Sequence, residues 1–125
     1  LWQGGRPDKA IIRAGGKVFL EVDLGTPRGH EQGGRRYALV LSPSGMDWSV
    51  ATIVPTSTAA RPAVFRPEVE VAGRPTRLLV DQIRTVDVSY LSADPVDYLE
   101  QEQMARVEHA IAHYLGLASS WTTER

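Results

Sequence analysis

The hydrophobic period of this chain changes once, near residue 101, and that change restricts the architectures open to it. Before it, the apolar residues come in short runs of strand length. Lys17 to Leu24 is rich in Val and Phe, Tyr37 to Ser42 is a compact apolar run, and Val50 to Pro55 is another. Phe65 to Val71 sets Phe65, Pro67, Val69 and Val71 against Arg66, Glu68 and Glu70, the period-2 pattern of a sheet with one face in water. Leu78 to Val80 and Ile83 to Val86 add strand material around the polar pair Asp81-Gln82, and Pro43-Ser44-Gly45 and Gly73-Arg74-Pro75 read as turns. After the change, Met104, Val107, Ile111, Tyr114 and Leu115 recur at helical spacing, with Glu102, Arg106 and Glu108 on the other face and Gly116 as the stop. Strands this short and closely spaced favour a small barrel or a strongly bent sheet, with a C-terminal amphipathic helix packed on it. The fold class expected is α+β, mainly β.

The densest chemistry lies in residues 29 to 36, Gly-His-Glu-Gln-Gly-Gly-Arg-Arg. Glycines let the backbone take positive φ and come close to a ligand. One carboxylate, one imidazole and two guanidiniums stand together there, the set that phosphodiester chemistry requires. When a ribose 2′-hydroxyl attacks its own phosphate, a base must take the hydroxyl proton and an acid must serve the departing 5′-oxygen. Fixed positive charge must also stabilise the phosphorane, and arginine suits that task because it stays charged and offers paired donors.

This stretch resembles the loop after the first strand in the MazF/PemK toxin family, whose members carry a Gly-Ser-Glu-Gln-Gly-Gly-x-Arg-Pro type of motif and cleave single-stranded RNA. The match is Gly29, Glu31, Gln32, Gly33, Gly34 and Arg36, with His30 in place of the usual Ser and Tyr37 in place of the usual Pro. Asp23-Leu24-Gly25 ahead of it, Thr56-Ser57-Thr58 after the next strand, and Val80 to Asp87 extend the ordered matches from residue 16 to residue 117. The resemblance implies an SH3-like barrel with a C-terminal helix, assembled as a homodimer. It further implies a sequence-specific, metal-independent endoribonuclease that leaves a 2′,3′-cyclic phosphate and a 5′-hydroxyl and is restrained by a disordered acidic antitoxin segment. Neither a metal nor another cofactor is expected.

Carried over residue by residue, Arg36 is the active-site arginine, and Glu31 is the base or the group that orients Arg36. Thr56 is the hydroxyl that bonds the scissile phosphate. Family members often place an apolar residue between the proline and that threonine, whereas Thr56 follows Pro55 directly, so Ser57 is the alternative. His30, Gln32, Arg35, Gln82 and Arg84 are candidate substrate contacts, with Gln82 and Arg84 also able to brace the loop. Trp48, on a polar turn, is the preferred platform for stacking a base, ahead of Phe65 and Tyr37. The same fold also carries the gyrase poison CcdB, whose aromatic-glycine-aliphatic ending is not matched by Ser119 to Arg125. A catalytically idle barrel that binds RNA or a peptide is the third reading.

At 125 residues and 42% hydrophobic, the chain suits one domain, expected over residues 14 to 117, burying roughly two thirds of its unfolded surface. Residues 1 to 13 are expected to be a tail or expression remnant and residues 118 to 125 a C-terminal tail. With no cysteine there is neither a disulfide nor a thiolate site, and no apolar run approaches the ~20 residues of a membrane span, so a cytoplasmic location is expected. Net charge is −1, which argues against indiscriminate coating of nucleic acid. The charge is uneven: residues 1 to 84 hold 12 Lys/Arg against 8 Asp/Glu, and residues 85 to 125 hold 2 against 7. A cationic face built from Arg28, Arg35, Arg36, Arg61, Arg66, Arg74, Arg77 and Arg84 is therefore expected.

Overall fold

A computed structural model describes residues 17–42 and 49–117. Among the described residues, seven strands and one α-helix follow in order: β1 (Lys17–Asp23), β2 (Arg35–Val40), β3 (Val50–Ser57), β4 (Glu68–Val71), β5 (Arg74–Leu78), β6 (Arg84–Asp87), β7 (Asp97–Leu99) and α1 (Gln101–Tyr114). All pairings are antiparallel, β1 with β2 and β7, and β2 with β3. β3 is the branch point. Its first half, Val50 to Ile53, pairs with β6, while Thr56 and Ser57 pair with Leu78 and Arg77 of β5. A bridge between Leu91 and Val22 returns the chain to β1 and nearly closes the barrel.

Period-2 alternation sorts the strand residues onto two buried faces. Val18, Leu20 and Val22 of β1 join Ala38, Ile53 and Val86 inside the curl of β1, β2, β3 and β6. Phe19, Leu39 and Val54 face the other way, against the β4–β5 hairpin and Met104, Val107 and Ala110 of α1. Burial on both faces explains why these strands read as continuous apolar runs. Phe19, Leu20, Leu39 and Ile53 are fully enclosed, each burial being worth about 1.5–3 kcal/mol. The helix lies where its single stripe requires, and it ends at Gly116, φ 74°, with the Leu117 N–H donating to the Ala112 carbonyl in a Schellman-like closure.

Several boundaries differ from the sequence expectation, each for a local reason. β2 begins at Arg35, because Asp23 and Val22 of β1 extend the ladder to Arg35 and Arg36. β3 runs through Pro55 to Ser57 instead of stopping at the proline. Arg74 and Pro75 are strand residues. The turn before them is made by Ala72 at φ 51° and Gly73 at φ 82°, the two left-handed positions of a tight hairpin, and the Asp97 carboxylate accepts the Ala72 N–H at 2.8 Å. Pro75 is tolerated because it precedes the part of β5 that pairs with β3. Leu78 ends β5, and Val80–Gln82 forms a 3-10 turn. β7 is not legible in the sequence, since three residues acquire strand geometry only by pairing with the edge of β1. The tails, the Pro43-Ser44-Gly45 turn and Trp48 lie outside the described residues. Among the described residues, no helix is long and apolar enough to cross a membrane.

Candidate active site

The glycine loop between β1 and β2 is pinched at its base. The Gly34 N–H donates to the Gly25 carbonyl at 2.7 Å, and the Leu24 N–H donates to the Gly34 carbonyl at 2.9 Å. At Gly33 a Cβ would stand 2.5 Å from Pro27 Cδ and 2.8 Å from the Gly25 oxygen, so the pinch requires glycine there. Farther out, the Glu31 N–H bonds the Arg28 carbonyl at 2.9 Å and tightens the tip into a turn. Gln82 fastens the tip to the rest of the fold. Its side-chain oxygen accepts the Gln32 N–H at 3.3 Å, and its amide nitrogen donates to the His30 carbonyl at 3.0 Å.

Gln82 can do this because the 3-10 turn that carries it is itself anchored. Asp81 receives two bonds from Arg66, at 3.0 and 2.7 Å, with both side chains mostly buried. The Arg66 hydrogen bonds hold the Asp81 carboxyl below the usual carboxylate range, and the same contact pushes the Arg66 guanidinium up.

Arg36 is half-buried and held by carbonyl oxygens, with Nε donating to Gly33 at 2.9 Å and a terminal nitrogen donating to Thr56 at 3.3 Å. Three of its five N–H donors are left for a ligand. The expected contact between Glu31 and Arg36 does not form. The pinch at Gly33 and Gly34 separates the two arms of the loop, and Glu31 instead lines a depression of about 510 Å3 with Leu24, Thr26, Arg28 and Arg84.

Strand register then decides which side chains share a side. Arg36 stands opposite Val22, and Arg84 opposite Ile53, so both are on the face of the barrel-interior cluster, Arg36 where β1 finishes and β2 begins and Arg84 at the start of β6. Ser57 is four residues beyond Ile53 on β3 and shares that face. Thr56 does not. It is opposite Leu78 on the helix-facing side, 5% exposed, and its hydroxyl donates to the Tyr37 carbonyl at 2.7 Å. The Ser57 hydroxyl is partly exposed and accepts the Ala59 N–H at 3.1 Å.

The broad cationic face narrows to a few side chains. Arg35 lies 3.5 Å from Glu21 and 3.8 Å from Asp23, Arg66 is bound to Asp81, and Arg77 lies 3.3 Å from Glu68. Among the described residues no carboxylate stands within ion-pair distance of Arg28, Arg36 or Arg84. His30 is exposed and contributes its carbonyl to Gln82, and Gln32 contributes its N–H. Phe65 packs against the core and against Tyr114 at a ring separation of 5.3 Å, which removes it as a base platform. Sequence reading passes over Tyr90, 56% exposed, because nothing in Val88-Ser89-Tyr90-Leu91 separates it from a strand residue. Only the 3-10 turn over Val88–Tyr90 turns its ring outward.

The profile of the family described as "PemK-like, MazF-like toxin of type II toxin-antitoxin system" matches residues 16–115. A toxin candidate of Mycobacterium tuberculosis (strain ATCC 25618 / H37Rv), Rv3098A/RVBD_3098A, is 67% identical over 108 residues, covering 86% of this chain and 99% of the relative. Among solved structures, MazF of Deinococcus radiodurans (Form-I) superposes with a TM-score of 0.70 at 26% identity, over 79% of this chain and 93% of that one. The MazE-MazF complex of the same organism (Form-III) gives 0.60 at 28% identity, over 84% and 96%. An endoribonuclease in complex with its cognate antitoxin from a mycobacterial species gives 0.66 at 20% identity, over 82% and 94%, a likeness of fold.

Proposed function

Because the chain belongs to the PemK-like, MazF-like toxin family of type II toxin–antitoxin systems, we propose that it acts as an endoribonuclease on single-stranded RNA and that a cognate antitoxin restrains it. The observation that carries this reading is the depression under the glycine loop, where Glu31 stands with Arg28 and Arg84, together with Arg36 and Ser57 on the same face of the sheet as Arg84. A phosphate in that depression meets Arg28 and Arg84, neither with a carboxylate at ion-pair distance among the described residues, with Glu31, on the same wall, as the proton acceptor.

In the reaction, Glu31 takes the proton of the ribose 2′-hydroxyl as its oxygen attacks the adjacent phosphorus. The bond to the 5′-oxygen breaks, and His30, next to Glu31 and exposed, returns a proton to it. The products are a 2′,3′-cyclic phosphate and a 5′-hydroxyl. Arg36 stabilises the charge that develops on the non-bridging oxygens, its free donors already aimed by the Gly33 and Thr56 carbonyls. Ser57 is the hydroxyl on the phosphate side. Thr56 acts through its carbonyl, which orients Arg36, and through its own bond to Tyr37. Gln82 keeps Glu31 and His30 in place by holding the backbone around them, while Arg28, Arg35, Arg84 and Gln32 border the path of the strand. Charge neutralisation by guanidinium makes the chemistry independent of a metal ion.

The test is to sequence the RNA ends left by purified protein in EDTA. Discrete cuts ending in 2′,3′-cyclic phosphate are expected, with Arg36→Ala folded but at least ~100-fold slower, the usual effect of removing one preorganised donor. Cleavage of an oligonucleotide with 2′-deoxyribose 5′ of the cut, or strict Mg²⁺ dependence, would place the protein in another nuclease class.

A further inference from the structure

Beside the depression that holds Glu31 a second one opens, about 330 Å3, lined by Asp23, Leu24, Arg84, Asp87 and Tyr90 among others. Both share Leu24 and Arg84, so they form one track along the seam between β1 and β6. Its volume lies at the small end of the ligand-cleft range of about 300–1,000 Å3.

Tyr90 is held rigidly at this seam. The Asp87 carboxylate accepts the Ser89 N–H at 2.8 Å and caps the 3-10 turn. Beyond the turn, the Leu91 N–H bonds the Val88 carbonyl at 3.0 Å, Leu91 bridges to Val22, and the Ser92 N–H bonds the Glu21 carbonyl at 2.8 Å. Val88 and Leu91 pack inward on the barrel cluster, while the Tyr90 ring between them stays out. A fixed, exposed aromatic next to an arginine without a carboxylate partner among the described residues is the arrangement on which bases of a single strand stack.

The walls add a chemical preference. Asp23 spends one oxygen on the Gly25 N–H at 2.9 Å and shares the other with Arg35 at 3.8 Å, while Asp87 takes the Ser89 N–H at 2.8 Å and the Ser89 hydroxyl and still has acceptor lone pairs on its two oxygens. Carboxylates accept and do not donate. Guanine offers two adjacent donors on its pairing edge, adenine and cytosine offer an exocyclic amine, and uracil flanks a single donor with two acceptors. We propose that this second depression is a nucleobase subsite, in which Tyr90 stacks the base, Arg84 binds its phosphate and Asp87 accepts from its edge, so that guanine is favoured and uracil disfavoured. It rests on the endoribonuclease reading of the neighbouring depression but makes its own claim, about which base is read.

Cleavage of a randomised RNA library, with both ends sequenced, tests it. Guanine is expected to be enriched over uracil at one fixed offset from the cut, and Asp87→Asn, which still caps the turn, is expected to bring that ratio close to one. Tyr90→Ala is expected to raise KM for a preferred oligonucleotide at least about 5-fold, and Tyr90→Phe, which keeps the ring, to restore it. Cleavage with no guanine preference that Asp87→Asn alters, and with KM unmoved by Tyr90→Ala, would overturn the subsite and leave the nuclease reading standing. Absence of both RNA binding and cleavage would overturn the two together.

Discussion

At the scale of single residues, one position of parity separates a hydroxyl held in the packing from the one the proposed chemistry would use. Thr56 and Ser57 are adjacent in sequence, yet Thr56 points toward the helix-packed core and Ser57 toward the side of Arg36 and Arg84. Thr56→Val should therefore cost about 1–3 kcal/mol of stability, because the part-buried hydrogen bond from Thr56 to the Tyr37 carbonyl is lost. Ser57→Ala should leave stability nearly unchanged and slow cleavage by ~10-fold or more, the loss of one contact to the reacting phosphate. Urea melts and single-turnover rates on the same two proteins decide the matter. A fully stable, inactive Thr56→Val beside an unaffected Ser57→Ala would reverse the assignment. No counting along the motif reaches this result, because parity follows from which neighbour β3 pairs with at each point.

At the scale of elements, the 3-10 turn over Val80–Gln82 connects the fold's stability to the proposed catalytic loop. Arg66 grips Asp81 from one side, and Gln82 grips the loop from the other. Asp81 has a folded pKa below its ordinary ~3.9, so its contribution to stability is complete above that value and is lost as pH falls through the folded one. Asp81→Asn is expected to lower stability at pH 7 by about 1–3 kcal/mol, with the gap to wild type closing below about pH 4. Denaturant midpoints across pH 3 to 7 check this, and a gap that does not change with pH would show that the ion pair is not its source. The Asp81-Gln82 pair is legible in the sequence as a polar interruption between apolar segments. Its partners, 15 and 50 residues away, are not.

At the scale of the whole molecule, we propose a homodimer on which an extended acidic antitoxin segment lies across the groove and displaces the Gly29 to Arg36 loop. A net charge of −1 with Arg28 and Arg84 together in one depression suits capture of an anionic strand at a limited place. Light scattering should give twice the monomer mass. Hydrogen exchange should show altered protection over residues 29 to 36 when the antitoxin binds, and full inhibition with that loop and RNA affinity untouched would exclude this mode. The sequence alone determined the kind of elements and the chemistry of the loop, since the switch from period 2 to helical spacing and the need for glycine at a tight pinch are local properties of consecutive residues. Only the tertiary structure decided that Glu31 faces Arg28 and Arg84 instead of Arg36, that Ser57 and not Thr56 shares the side of Arg36, and that Tyr90 stands exposed at the seam. Those outcomes depend on how β3 divides its pairing between two partners and how Leu91 bridges back to Val22, contacts between residues far apart in the chain.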